Sequence, residues 1–198
     1  MNTKDGKRQE ILKAAMELFA RKGFRGTTTR DLASQADVNE AIIFRHFTNK
    51  TELYRAILEE KVHQSRDSEH YIKVEKLARE SDAQTFLEFL GNKFLERHEQ
   101  DSTFMRLLLF SALEGHELAD MFLASLEDRD PMVSYMERQM AMGTFRRMDP
   151  VLASRAFLGM FVSHIQMQEI FGHKKRAEFS REEVVKTFVS IFLAGMKP

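Results

Sequence analysis

The 198-residue chain is 43% hydrophobic, enough for a buried core and too much for a disordered chain. It contains no Cys, which excludes a disulfide framework and a thiolate metal site. Net charge is zero but uneven: residues 1–50 carry 10 Lys/Arg against 6 Asp/Glu and residues 51–198 carry 20 against 24, so a basic first segment suited to phosphates precedes an acidic remainder.

The opening MNTKDGKRQE is charged and has no apolar run, so it does not read as a signal peptide. No apolar stretch approaches the ~18–20 residues that span a bilayer. These features predict a cytoplasmic protein with no membrane partner. Apolar residues recur at helical spacing nearly throughout, and no strand alternation is bounded by turns, so the expected class is all-α. Ile11, Leu12, Ala15, Leu18 and Phe19 mark a first helix that stops at Gly23. Thr28 with Asp31 opens a short second helix, Asn39 a third, and Asn49 with Glu52 a fourth that runs past Leu58 towards His63.

Residues 28–53, TTRDLASQADVNEAIIFRHFTNKTEL, place two short helices around Asp37-Val38. Leu32, Ala33, Ala36, Val38, Ile43 and Phe47 fall where a three-helix core needs apolar groups, completed by Leu12, Phe19 and Phe24. This is the pattern of a helix-turn-helix head, whose second helix enters a major groove ~12 Å wide. On the third helix Ile43 and Phe47 define the buried face. Ala41, Ile42 and Arg45 then lie opposite, flanked by Phe44 and His46. Asn39 either caps its own helix or bonds a base. Ile42 is suited to a thymine methyl, and Arg45 to guanine or to phosphate. Lys50, in the first turn of the fourth helix, is placed for a backbone phosphate, and Thr27, Thr29 and Arg30 for the other strand.

These residues resemble the TetR family of regulators. The likeness runs from RQEILKAAMELFARKGFRGTTTRDLA through SQADVNEAIIFRHFTNKTEL, about 55–60 residues. It rests on Phe19, Gly23-Phe24, Thr27-Thr28, Leu32-Ala33, Ala36, Val38, His46-Phe47, Lys50 and Leu53. The resemblance implies an operator-binding domain over residues 1–65 and an all-helical ligand-binding and dimerisation domain over 66–198. The function implied is a sequence-specific DNA-binding transcription regulator. It would act as a homodimer and repressor, released from a near-palindromic operator by a small apolar effector. Three positions depart from the family's pattern: Asp37 stands for the turn Gly, Ala41 for a Gly, and Phe44 for a Tyr whose hydroxyl would reach phosphate.

Residues 64–82 are polar and in part connect head to body. Helical segments follow at roughly 83–99, 102–114, 117–127 and 131–143, then 150–171 and 180–196. Asp130 and Asp149 stand as N-caps before Pro131 and Pro150, and Ser180 with Glu183 forms a capping box. Leu152, Ala156, Gly159 and Ser163 form a small-residue face on one helix. Val184, Phe188, Ile191 and Phe192 form a broad apolar face on the last. Helices apolar over so much of their circumference are buried on more than one side, either as core helices of a monomer or, as the resemblance implies, in a four-helix dimer interface with two from each chain. Among the Phe and Met residues of the body, Phe104, Leu108, Met121, Met136, Met140 and Phe161 are candidates to line an apolar ligand cavity. His164 and Gln168 are its polar candidates, and His116 and Gln139 are further polar groups.

The competing classes are a metal-dependent helical-bundle enzyme and an interaction module without DNA binding. The i,i+3 pairs Glu60/His63 and Asp67/His70 carry the former, but the inward carboxylates such a site needs are not evident. No phosphate loop, nucleophile elbow or zinc-protease motif is present. No catalytic residue, cofactor or metal is expected.

Overall fold

The computed structural model describes the backbone of residues 3–66, 69–116, 120–121, 131–173 and 176–198, and the side chains of these residues except 3–5 and 62–72. Every regular element among the described residues is helical. In chain order they are α1 (Thr3–Lys22), α2 (Thr29–Gln35), α3 (Glu40–His46), α4 (Lys50–Arg66), α5 (Glu69–Glu80), α6 (Ala83–Gln100), α7 (Thr103–Leu113), α8 (Pro131–Ala141), α9 (Pro150–Ile165) with a π-helical turn Gln166–Ile170, and α10 (Arg181–Met196). Of the expected segment 117–127 only Asp120 and Met121 are described, both helical, and the Asp130 cap lies outside the described residues.

The chain divides into two compact units, Met1–Asp67 with Thr103–Ser125 and Ser68–Ser102 with Leu126–Pro198. In the first, α1 ends where Gly23 turns left-handed at φ 73° and donates its N–H to the Phe19 carbonyl at 2.9 Å. Thr28 and Asp31 form the expected capping box of α2, and the Asn39 side chain caps α3. Asp37 takes φ 50° in the turn between them, so the Asp that stands for Gly does adopt the left-handed conformation. Leu32, Ala33, Ala36, Ile43 and Phe47 pack on Ile11, Leu12, Ala15, Leu18 and Phe19, with Leu53, Tyr54 and Ile57 of α4 closing the core.

Helix α7, expected in the body, packs against α1 in this first unit. Leu107 is fully buried there and accepts a hydrogen bond from Tyr54 Oη at 3.2 Å. Phe104 and Met121 also pack against this core, which removes both from the expected body cavity.

In the second unit the core is aromatic. Phe86 meets Tyr135 at 4.3 Å between ring centres, Phe157 meets Phe161 and Phe192 at 5.1 Å, and Phe161 meets Phe188 at 5.2 Å. Met136 and Phe161 are buried in this core and line neither groove found on this unit, a correction to their expected role, whereas Met140, also buried, borders a groove of about 460 Å³ with Phe145, Arg146 and Arg147. Asp149 caps α9, with Pro150 in the first turn, and Ser180 and Glu183 cap α10 as expected. Val184 and Phe192, expected on a dimer face, are also buried in this core.

Candidate nucleic-acid interface and body groove

Helix α3 is seven residues long, too short to persist on its own. It is held by the Asn39 cap, whose Oδ1 accepts the Ile42 N–H at 2.9 Å, and by Ile43 and Phe47 anchored in the core. Capping is thus the role the geometry gives Asn39. Ala41, Phe44 and Arg45 project from the opposite side and are exposed, Phe44 at 52%. Ile42, expected to point outward, is instead half-buried and packs against the head core. His46 is half-buried beside Phe47.

At the start of α2, Arg30 is exposed and Thr29 half-buried. Thr27 is only 1% exposed, and its hydroxyl donates to the Gly23 carbonyl at 2.8 Å. Its side chain therefore fixes the turn and is not displayed to a phosphate. Lys50 is also turned inward. Its ammonium donates to the carbonyls of Phe24 at 2.6 Å and Thr27 at 2.8 Å and lies 4.2 Å from the Phe24 ring centre. Partial burial lowers its pKa from the ordinary lysine value, an effect that the Glu114 carboxylate partly opposes. Two of its three donors are spent on the turn between α1 and α2, a structural role that sequence reasoning missed.

A groove of about 650 Å³ lies on the second unit. Of the residues expected to bind ligand, His164 and Gln168 line it, together with Arg155, Met160, His173, Phe179 and Phe188. Leu108 is half-buried on α7 and does not. Gln168 is 8% exposed, and its Oε1 has no hydrogen-bond partner among the described residues. Burial lowers the pKa of His164, against the nearby Glu99 and Glu169, which favours the neutral imidazole. Ala156, Gly159 and Ser163 line the same groove and are exposed. Leu152 at 60% and Ile191 at 58% are exposed too, with Phe188 half-buried. His116 lies in the first unit, 4.4 Å from the Phe24 ring and 4.9 Å from Tyr54. Gln139 is buried on α8 and does not line the groove.

Among the described residues no group of three or more His, Cys, Asp or Glu side chains gathers to hold a metal ion. The side chains of His63, Asp67 and His70 lie outside them. No described helix is long and apolar enough to cross a membrane.

A capped three-helix unit that displays one short helix defines a helix-turn-helix regulator. The match to family models is specific: residues 11–57 match the bacterial regulatory proteins of the tetR family, and residues 85–196 match the C-terminal domain of AefR-like transcriptional repressors. The chain belongs to the TetR family of transcriptional regulators.

The HTH-type transcriptional regulator YvkB of Bacillus subtilis (strain 168) is 52% identical over 50 residues, 25% of this chain and 26% of that protein. The probable HTH-type transcriptional regulator ArpR of Pseudomonas putida is 36% identical over 84 residues, 42% and 36% of the two chains. Each match spans less than half of the relative. Over nearly the whole chain the fold is similar to that of the transcriptional regulator FadR from Bacillus subtilis in complex with stearoyl-CoA. The TM-score is 0.76 at 18% identity, covering 95% of this chain and 98% of that one. It is similar also to AibR in complex with isovaleryl coenzyme A and operator DNA, with TM-score 0.71 and 16% identity over 93% and 97%.

Proposed function

We propose that this regulator is a cytoplasmic homodimeric repressor, not an enzyme, that grips a near-palindromic double-stranded DNA operator and releases it when a small, largely apolar effector binds the body. The observation that carries the reading is the displayed face of α3, where Ala41, Phe44 and Arg45 are exposed over a helix anchored from behind by Ile43 and Phe47. Residues 1–65 carry DNA binding, with Thr29, Arg30 and His46 as supporting contacts and Asn39 and Lys50 holding the helices that present them. Residues 66–198 carry effector binding and dimerisation. The exposed Leu152, Ala156, Gly159, Ser163 and Ile191 form a face for a second copy. A partner helix laid along α9 would roof the groove beside them. Two heads spaced by ~34–36 Å, one DNA turn, read a near-palindrome.

The groove supports an effector with an apolar body over Met160, Phe179 and Phe188 and a donor group for Gln168 Oε1, because an unpaired buried carbonyl oxygen is costly until a donor reaches it. The fold neighbours crystallised with stearoyl-CoA and isovaleryl coenzyme A make acyl thioesters the first molecules to try. The test is selection of bound fragments from sheared genomic DNA, followed by mobility shift at moderate salt and sedimentation of free protein. A sequence-selective shift by a dimer is expected, and a folded protein that shifts all fragments alike would defeat the reading. Arg45→Ala should weaken binding by about 1–3 kcal/mol at one operator position if Arg45 reads a guanine, and uniformly across sequences if it meets phosphate.

A further inference from the structure

The turn between α1 and α2 is pinned by opposite charges from two sides. The Glu114 carboxylate, just past the end of α7, accepts the backbone N–H of Phe24 at 2.9 Å and of Arg25 at 3.2 Å. The Arg25 guanidinium returns a hydrogen bond to the Glu114 carbonyl at 3.2 Å. Adjacent amides that point the same way make an anion-binding concavity, here filled by a side chain of the same protein. On the other side the Lys50 ammonium takes the carbonyls of Phe24 and Thr27. The Phe24 ring packs against Lys50, His116, Tyr54 and Phe19. Gly23 leaves room for this arrangement, since a Cβ there would run into the Glu114 carboxylate. The turn leads after Thr28 into α2, and α2 carries α3.

We propose that Glu114 is a positioning residue for DNA binding: with Lys50 it clips the α1–α2 turn in the pose from which α2 and α3 meet DNA, without itself touching DNA. This rests on the regulator reading above. The sign of the effect is diagnostic. A carboxylate that merely sat on a DNA-binding head would repel phosphates, and its removal would tighten binding. A carboxylate that sets the pose of the head must weaken binding when removed.

Glu114→Gln keeps the shape but offers one acceptor oxygen and sets an NH2 against the second amide. Glu114→Ala removes both acceptors. The probe is the genomic fragment selected by the wild-type protein, titrated over a range of salt, with Glu10→Gln as a carboxylate control elsewhere on the head. Expected are a loss of about tenfold for Glu114→Ala, a smaller loss for Glu114→Gln, an unchanged salt slope because no phosphate contact is deleted, and equal or tighter binding for Glu10→Gln. Unchanged or tighter binding by both Glu114 variants, with the wild type selective, overturns the proposal alone. Absence of any selective fragment for the wild type overturns the regulator reading and this proposal with it. Amide exchange of the wild-type protein gives a check free of variant folding: the Phe24 and Arg25 N–H groups are expected to be protected, and exchange at random-coil rates would overturn the clip.

Discussion

The head and the body are both all-helical, yet different things hold their helices in place. In the head, α2 and α3 are seven residues each and are fixed at their ends, by the Thr28–Asp31 box, the Asn39 cap, the Asp37 turn and the Gly23 stop. In the body, α6, α9 and α10 are two to three times longer and are fixed along their sides by aromatic rings. A short helix cannot pay for its nucleation from its own backbone bonds, so its boundaries are written as caps. The long helices are capped as well, by Asp82, Asp149 and Ser180, but their placement rests on apolar faces, and a face does not name its neighbour.

Phe161→Ala tests the body half of that contrast and should give the largest effect. Phe161 is fully buried, and its ring occupies the space that a Cβ at Gly91 would need. Truncation leaves a cavity in a packed core and should cost about 3–5 kcal/mol in urea unfolding. A loss below about 1 kcal/mol would instead fit a ring lining an open ligand cavity, and would restore the role that the sequence reading gave it.

This contrast explains what was legible in the sequence. Thr28, Asn39, Asp149 and Ser180 were readable because a cap acts within three residues of itself. The all-helical class and the helix-turn-helix followed from spacing alone. Ile42 was misplaced because a wheel drawn on α3 cannot show that the head core reaches round to that side. Thr27 and Lys50 looked like phosphate ligands because their type and position suit one. Their actual partners are carbonyls at Gly23, Phe24 and Thr27, a meeting that only the folded turn creates. Phe104, Met121 and His116 were misassigned for the same reason at longer range: α7 lies about 80 residues from α1 in sequence and packs on it. Met136 and Phe161 are indistinguishable in sequence from cavity residues, since core and pocket use the same side chains.

Asp37 offers a smaller test, on the head. Its φ of 50° is one that a side chain other than Gly tolerates at a cost. Asp37→Gly should therefore stabilise the turn by about 0.5–1 kcal/mol, less the added chain entropy that glycine brings to the unfolded state. Thermal melting would show the gain. Slower exchange of the Val38 amide, which donates to the Ala33 carbonyl at 3.0 Å, would place it in this turn. A lower melting temperature would mean that the Asp37 side chain makes a contribution larger than its backbone strain.

The smallest effect expected compares the two capping boxes directly. The Asp31 carboxylate accepts the Thr28 N–H at 2.9 Å and the Thr28 hydroxyl at 2.8 Å, with the Lys22 ammonium at 3.1 Å, and its pKa falls from 3.8 to about 2. Glu183 accepts the same two bonds from Ser180, and its pKa is also lowered, without a cation among the causes. A carboxyl group whose folded-state pKa is depressed stabilises the fold above its unfolded pKa, and the contribution disappears as protons bind the native state. The head should therefore lose this increment between about pH 4 and about pH 2, the window set by Asp31. Thr28→Val should raise the Asp31 midpoint in a carbon-detected NMR titration while leaving Glu183 unchanged, and Ser180→Ala should do the reverse. An Asp31 midpoint near its ordinary value in the wild-type protein would mean that the box is open in solution. The short helix behind it would then depend on Leu32 and Ala33 packing alone, and the head would be held from its side, as the body is.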